Sequence, residues 1–189
     1  MASKEIIIET ARLRLREKNI GDATNDFRWK CDPEIARYEG SEPLVQSYYV
    51  YLRRYANDLN VIGENRKTLA IDTKDGQQIG NIMYYNARNS VGEAEIGIVI
   101  GDSQYRNQGY GFEAIVEFLR LIFDVERFNL IYLHSLVWNI RAQKCFERAG
   151  FHIVDQVARR GYDFVRMETT REKWLLLDLE GFFTKEGDR

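Results

Sequence analysis

The order of apolar and polar side chains along the chain predicts a series of short strands. Between Arg12 and Arg16 polarity alternates at every residue, which is the period of a strand that buries Leu13 and Leu15. After residue 67, two runs of strand-forming residues separated by a turn at Lys74–Gly76 indicate a hairpin. In all we predict seven strands, over residues 12–16, 68–71, 78–85, 93–100, 130–137, 151–157 and 164–169.

Helices are predicted where apolar residues recur at helical spacing or where a capping residue opens such a run. The segment after Gly111 is amphipathic and ends near Asp124. A helix capped by Asn139 ends before Gly150. Further helices are predicted to begin at Asp22, at Asp32–Pro33 and near Val45. This order of elements is typical of a mixed sheet with helices packed on it.

Length and composition favour one globular domain. Of the 189 residues, 44% are hydrophobic and 30% are charged, with only 2 Pro and 14 Gly. These values exclude a disordered, collagen-like or low-complexity chain, and the length suits one core better than two. We therefore expect a single domain over residues 1–189, with its core over about 8–174 and a C-terminal tail over 175–189.

The same sequence disfavours several classes of function. No apolar run is long enough to cross a membrane, and the first nine residues are too polar for a secretory signal. Cys31 and Cys145 are too few for a disulfide framework, and no metal-ligand spacing connects them with His134 or His152. A net charge of −2 gives no general attraction for nucleic acid. We expect a cytoplasmic protein that binds no membrane, nucleic acid or metal.

The strongest local motif is the glycine-bearing turn Arg106–Gly111, which precedes an amphipathic helix. Glycines let the backbone approach a ligand, and the first N–H groups of a helix lack helical partners, so this turn suits a pyrophosphate. The alternative is an ordinary loop that opens a helix. Residues 109–114 also spell the G-x-G-x-x-A of dinucleotide-binding folds, but residues 130–138 contain no carboxylate that could hold a ribose.

Two spaced motifs resemble those of the GNAT superfamily of N-acetyltransferases. Arg106, Gly109 and Gly111 match the Arg/Gln-x-x-Gly-x-Gly/Ala turn that binds the pyrophosphate of acetyl-CoA in that family. The segment Asn139–Phe151 resembles the second family motif, Asn-x-x-Ala followed by an aromatic residue and a closing Gly-Phe. The resemblance extends over about residues 8–174.

The resemblance implies both a fold and a reaction. The fold is the α+β GNAT fold, a central mixed, mostly antiparallel sheet of about seven strands flanked by helices. The reaction is acetyl transfer from acetyl-CoA to a primary amine, a protein N-terminus or a small molecule, by direct attack in a ternary complex. Residues 9–16 and 167–174 are similar to the branch typified by the ribosomal-protein N-acetyltransferases RimJ and RimL. A homodimer, and a non-catalytic acyl-CoA-binding module of the same fold, stay open as alternatives.

The resemblance also implies which residues bind acetyl-CoA. The acetyl group is expected beside strand 93–100, where backbone N–H groups near Ile98 and Val99 would stabilise an oxyanion. Asn139 either contacts the pantetheine or only caps its helix, and Lys144 either reaches the phosphates or is solvated. The predicted cofactor-binding residues are Ile98, Val99, Ile100, Arg106, Asn107, Gln108, Gly109, Tyr110, Gly111, Asn139 and Lys144.

For a catalytic base the sequence offers Glu95 and Glu93, which share one face of their strand. Glu95 is the favoured candidate, and the alternative for both is a solvated residue or a partner of arginine. Phe146 stands where many family members carry a proton-donating Tyr, so another hydroxyl or water must protonate the leaving thiolate. The candidate hydroxyls are those of Tyr110, Tyr132 and Tyr162.

Other reactive or aromatic side chains are interpreted mainly as structural. Cys145 and His134 are expected in the core, because no partner spacing marks either as a nucleophile or base. The Arg159–Arg160 turn is either a charged hairpin tip or a contact for an acidic group. The aromatic set Trp29, Tyr38, Tyr48, Tyr49 and Tyr51 either lines an acceptor pocket or belongs to the core.

Overall fold

The structure is a computed structural model that describes residues 6–59, 65–126 and 128–183. Its eight strands are β1 Ile6–Glu9, β2 Leu13–Glu17, β3 Lys67–Thr73, β4 Gln78–Arg88, β5 Glu93–Ile100, β6 Leu130–Leu136, β7 His152–Arg159 and β8 Tyr162–Thr170. They form one sheet in the order β1-β2-β3-β4-β5-β6-β8-β7. Only β5 and β6 are parallel neighbours, and the other pairs are antiparallel, which confirms the predicted mixed, mostly antiparallel sheet.

The helices flank this sheet. They are α1 Ala23–Cys31, α2 Pro33–Glu39, α3 Tyr48–Leu59, α4 Tyr110–Asp124, α5 Ile140–Arg148 and α6 Arg171–Leu179. Local chemistry explains the start of α2, where the Asp32 carboxylate accepts the N–H groups of Glu34 and Ile35 and Pro33 opens the helix. Within the described segments, no helix combines the length and apolar character needed to cross a membrane.

The main core lies between the sheet and α4. The buried side chains of α4 recur at helical spacing, so that Ala114, Ile115, Phe118, Leu119 and Ile122 all face inward. This apolar stripe packs against β2, β4 and β5. Because α4 is fixed on these strands, its first turn lies next to the end of β5.

Two elements go beyond the sequence prediction. Strand β1 adds an eighth strand by pairing with β2, and α6 follows β8, with Thr170 accepting the Lys173 N–H at its start. Trp174 of α6 is fully buried, donates its indole N–H to the Ala149 carbonyl at 3.1 Å and stacks on Phe183. The expected boundary between core and tail at residue 174 therefore falls inside a helix that packs on the core.

The sheet opens between β5 and β6. Their parallel pairing connects only Glu93–Glu95 with Leu130–Tyr132. Beyond this point β5 stays paired with β4 as far as Ile100, while β6 stays paired with β8 as far as Leu136. Within the described sheet, the β5 backbone groups that face β6 therefore lack a strand partner beyond Glu95, and a gap separates the two strands.

Candidate active site

A cavity of about 650 Å³ occupies the gap between β5 and β6. One wall is β5 from Ile96 to Ile100, and another is β6 from Leu133 to Ser135. The remaining lining comes from α2, from β4 and β8, from the turn before α4 with the start of α4, and from Asn139 with α5. Among the predicted cofactor-binding residues, those in the lining are Ile98, Val99, Ile100, Arg106, Asn107, Gly109, Gly111, Asn139 and Lys144.

The turn before α4 is shaped by positive backbone angles and by Arg106. Asn107 has a φ of 62° and Gly109, which precedes the first residue of α4, has a φ of 83°. Arg106 donates to the carbonyls of Ile100 and Gly101, at 3.0 Å each, and forms an ion pair with Glu34. Arg106 therefore holds the turn against the end of β5.

The two predicted binding residues outside the lining, Gln108 and Tyr110, are held by Arg12. Its Nη1 atom donates to the Gln108 carbonyl at 2.9 Å, and its guanidinium lies 4.6 Å from the centre of the Tyr110 ring. Arg12 also pairs with Glu113 in the first turn of α4. These contacts connect the residue before β2 to the turn and hold the turn from outside the cavity lining.

Positive side chains of α5 line the cavity. The helix begins at Asn139, whose side chain accepts the Ala142 N–H at 3.3 Å, so this residue both caps α5 and reaches the lining. Arg141, Lys144 and Arg148 also line the cavity. Together with the first N–H groups of α4, they give this part of the cavity a positive potential that suits phosphate groups.

A histidine in the cavity lining pairs with a buried carboxylate behind it. His134 on β6 lines the cavity, and its Nδ1 atom lies 2.6 Å from Oε1 of Glu95 on β5. Both side chains are only 6% exposed, and Oε2 of Glu95 accepts from Asn86 at 3.1 Å. The other ring nitrogen, Nε2, is buried and has no hydrogen-bond partner among the described residues. His134 is thus buried, as expected, and it also contributes to the cavity lining.

The two carboxylates proposed from the sequence differ in their surroundings. Glu95 lies behind the lining and reaches the cavity through His134. Glu93 is also outside the lining, and it pairs with Arg88 across the β4–β5 hairpin. An ionised carboxylate only accepts hydrogen bonds, so the neutral His134 tautomer that pairs with it carries its proton on Nδ1 and leaves Nε2 as an acceptor.

The hydroxyls near the cavity are not those named from the sequence. Tyr110, Tyr132 and Tyr162 lie outside the lining, whereas Tyr85 of β4 belongs to it. Gly97 of β5 lies beside the Tyr85 ring, where a Cβ atom would be in ordinary van der Waals contact at 3.4 Å. Burial, followed by the charge of the nearby Glu95 carboxylate, raises the pKa of Tyr85, so this hydroxyl stays protonated.

Phe146 and Cys145 of α5 line the cavity and also pack against the hydrophobic core. The Phe146 ring packs edge-on against Phe151 with centroids 6.1 Å apart, and one side of it contributes to the cavity. Cys145 is half-buried, and burial raises the pKa of its thiol. A thiol that resists ionisation is a poor nucleophile, so Cys145 serves here as an apolar part of the wall.

The aromatic set proposed for an acceptor pocket is divided by the fold. Tyr38 of α2 lines the cavity beside Glu39, while Trp29 and Tyr51 are buried. Tyr48 and Tyr49 are exposed on α3. In the part of the chain that the structure describes, no group of three His, Cys, Asp or Glu side chains lies close enough to hold a metal ion.

Comparison with known proteins agrees with this geometry. The family model described as an acetyltransferase (GNAT) domain matches residues 12–152. A spermidine N-acetyltransferase from Vibrio cholerae, solved with CoA and spermine, has a TM-score of 0.78 and 22% identity, with 88% of this chain and 99% of that chain covered. A GNAT-family acetyltransferase from Bacillus anthracis has a TM-score of 0.74 and 17% identity, covering 87% and 98%. No curated protein sequence matches the chain.

The opened β5–β6 pair and the turn before α4 thus define a protein with an acetyltransferase fold. The family model covers well over half of the sequence, and the chain belongs to the GNAT acetyltransferase family.

Proposed function

We propose that this protein transfers an acetyl group from acetyl-CoA to a primary amine by direct attack in a ternary complex. The observation that carries the proposal is the Glu95–His134 pair in the β5–β6 gap, with a buried ring nitrogen that has no partner among the described residues. A neutral imidazole nitrogen in this position can accept the proton that an ammonium group must lose before it attacks. Glu95 holds the ring in the required tautomer.

Acetyl-CoA fits the lining in three places. The unpaired edge of β5 offers backbone N–H and C=O groups to an extended amide-bearing arm, and an N–H near Ile98 or Val99 can stabilise an oxyanion. The turn before α4 and the start of that helix offer N–H groups to a pyrophosphate. Arg141 and Lys144 add positive charge, and the side chain of Asn139 lies in the same lining.

The chain's own residues account for the proton transfers of the reaction. The amine nitrogen bonds to the thioester carbon as His134 Nε2 takes the proton that the amine releases. The carbon–sulfur bond then breaks, and the thiolate takes a proton from the Tyr85 hydroxyl or from water. The raised pKa of Tyr85 makes its hydroxyl a weaker proton donor than that of an ordinary tyrosine, so water is the simpler source of this proton.

Two acceptor classes have separate support. The Vibrio cholerae protein with the same fold is a spermidine acetyltransferase, and Glu39 in the lining could pair with a second ammonium group. The sequence resemblance to the RimJ and RimL branch favours a protein N-terminus instead. Both are primary amines, so the proposed chemistry is the same for each.

The deciding experiment measures release of CoA thiol from acetyl-CoA in the presence of spermidine, an amino acid, an aminoglycoside and a peptide with a free N-terminus. We expect at least one acceptor to give thiol and acetylated amine in equal amounts, while the matched, already acetylated acceptor gives neither. Calorimetric binding of acetyl-CoA without thiol release from any primary amine would instead identify a non-catalytic acyl-CoA-binding module.

The proposed pyrophosphate site is tested by Gly109→Asp. The new carboxylate adds negative charge at the start of α4, and its Cβ atom would lie 3.2 Å from Arg12 Nη2. Loss of two or three charge-assisted hydrogen bonds, each worth about 1.5–3 kcal/mol, should weaken acetyl-CoA binding at least about 100-fold. Isothermal titration calorimetry on the folded variant measures this change.

Gly76→Asp is the matched control. Gly76 has nearly the same φ, 84°, and a Cβ atom there would meet nothing within 4 Å. Both variants therefore carry the backbone strain of a left-handed aspartate, but only one places charge at α4. Equal affinities of the two variants for acetyl-CoA would rule out the proposed site.

A further inference from the structure

We infer that Asn86 is a positioning residue that holds the Glu95 carboxylate in place for His134. This inference rests on the proposed function, since it assigns a role to a residue that acts on the base of that reaction. Asn86 Nδ2 donates to Oε2 of Glu95 at 3.1 Å, while Oε1 of Glu95 lies 2.6 Å from His134 Nδ1. The two oxygens of this buried carboxylate therefore have different partners, and rotation of the carboxylate group would break both contacts.

A β-bulge in β4 brings the Asn86 side chain to Glu95. Tyr85 is the direct partner of Glu95 in the β4–β5 register, and the register shifts between Tyr85 and Arg88. On a regular strand successive side chains point to opposite faces, so Asn86 would point away from the face that Tyr85 and Glu95 share. At Asn86 the backbone instead has a φ of 53°, which interrupts the alternation. The bulge thus explains how the residue after Tyr85 reaches the same carboxylate.

Contacts on both sides of the bulge fix the position of Asn86. The Ala87 N–H donates to the Asn65 carbonyl at 3.1 Å. After the bulge the two strands pair again at Arg88 and Glu93, whose side chains form an ion pair. Asparagine suits this place because it tolerates a left-handed backbone better than most residues and also carries an amide donor.

The chemistry of the contact suits a positioning role. An ionised carboxylate only accepts hydrogen bonds, so the Asn86 amide turns its N–H group, not its oxygen, towards Glu95. Asn86 itself is exposed and contributes to no part of the cavity lining. It therefore contacts neither proposed substrate and acts only through Glu95. Because water can replace part of a hydrogen bond at an exposed position, we expect its loss to slow the reaction without abolishing it.

Asn86→Gly removes the amide and retains the freedom to adopt a positive φ. We expect kcat for the best amine to fall by about 10-fold, the lower end of what a hydrogen bond to a charged group contributes. The KM and the calorimetric affinity for acetyl-CoA should stay unchanged. Asn86→Asp keeps the size and the backbone tolerance but faces Glu95 with a second carboxylate, so it should be slower still. In a Glu95→Gln background, Asn86→Gly should add little further loss, because both changes disturb the same unit.

Arg160→Gly is the matched control. Arg160 is also a residue other than glycine with a positive φ, 51°, and it lies in the turn between β7 and β8, outside the cavity lining. Both variants therefore place glycine in a left-handed position next to a strand, but only one removes a donor to Glu95. We expect Arg160→Gly to retain native kcat.

A second readout separates this inference from the proposed function. His134 and His152 are the only two histidines of the chain, so nitrogen NMR at alkaline pH, where imidazole is neutral, reports the tautomer of each ring. We expect the Nδ1–H tautomer for His134 in the native protein and in Arg160→Gly, and a mixture with Nε2–H in Asn86→Gly, with His152 unchanged. Native kcat or a native His134 tautomer in Asn86→Gly, or equal losses in Asn86→Gly and Arg160→Gly, would overturn the inference. Failure of every amine would refute the proposed function, while the tautomer of His134 still decides the role of Asn86.

Discussion

Replacement of His134 by Gln is expected to lower turnover by about 10²- to 10⁴-fold, the range for a positioned general base. Affinity for acetyl-CoA should change little, because the proposed phosphate and pantetheine contacts lie on α4, α5 and β5. Steady-state kinetics, with calorimetry for acetyl-CoA, measure both effects.

Glu95→Gln tests the other member of the His134–Glu95 pair. An amide can still contact Nδ1 but does not enforce the Nδ1–H tautomer, so turnover should fall by at least about 10-fold. The double variant should be little slower than His134→Gln alone, because residues that act as a unit are strongly non-additive. Glu93→Gln compares the other carboxylate, which pairs with Arg88 outside the lining. Full activity in His134→Gln, or independent and additive losses, would rule out a catalytic pair.

Local chemistry explains which elements could be predicted from the sequence. The Asp32–Pro33 start of α2, the Asn139 cap of α5 and the end of α4 at Asp124 each depend on residues within one or two turns. The hairpins could also be predicted, since strands of alternating polarity and the turn residues between them are adjacent in the sequence. By contrast, β1 and α6 depend on distant partners. Strand β1 exists through its pairing with β2, and α6 is anchored by Trp174, which packs on residues far away in the chain.

The candidate site shows the same division. The turn at Arg106–Gly111 and the α5 residues were identified because their chemistry is contained in short motifs. The pairing of His134 with Glu95 was not predicted, because the two residues are 39 positions apart and meet only through the register of the parallel β5–β6 pair. One signal was present in the sequence: a histidine within the otherwise apolar strand 130–136 needs a polar partner when buried.

Arg16 is the centre of a buried ion cluster, and its replacement should have the largest effect on stability. The guanidinium is 2% exposed and makes two hydrogen bonds to each of Asp22 and Asp72, at 2.7–2.9 Å. Arg16→Leu leaves both carboxylates buried without this partner, which typically costs about 3–5 kcal/mol. That loss is a large part of the roughly 5–15 kcal/mol that stabilises a domain. Urea unfolding of Arg16→Leu against the native chain measures it.

Arg14→Leu is the matched control on the same strand, because Arg14 is 35% exposed and pairs with Glu9 at the surface. It should cost at most about 1 kcal/mol. If Arg16→Leu does not fold, Asp72→Asn still tests the cluster, since it removes one carboxylate charge and retains the Arg16–Asp22 pair. Its loss in free energy of unfolding should lie between the losses of the two arginine variants. Equal costs for Arg14→Leu and Arg16→Leu would show that the cluster contributes no more than a surface pair.

The pH dependence provides a separate test of the same cluster. Burial would raise the pKa of Asp22, but hydrogen bonds from Arg16 and the Asn19 N–H, with the charge of Lys18, outweigh burial and lower it. The native protein therefore gains stability from Asp22 above the ordinary Asp pKa of about 4, and loses it as pH falls through the lower folded value. Without Arg16 the largest lowering contribution is lost, so the folded pKa of Asp22 rises and ionised Asp22 stabilises the fold less. The stability difference between the native chain and Arg16→Leu should therefore be largest at neutral pH and shrink in acid, and a difference that is constant across pH would contradict this origin.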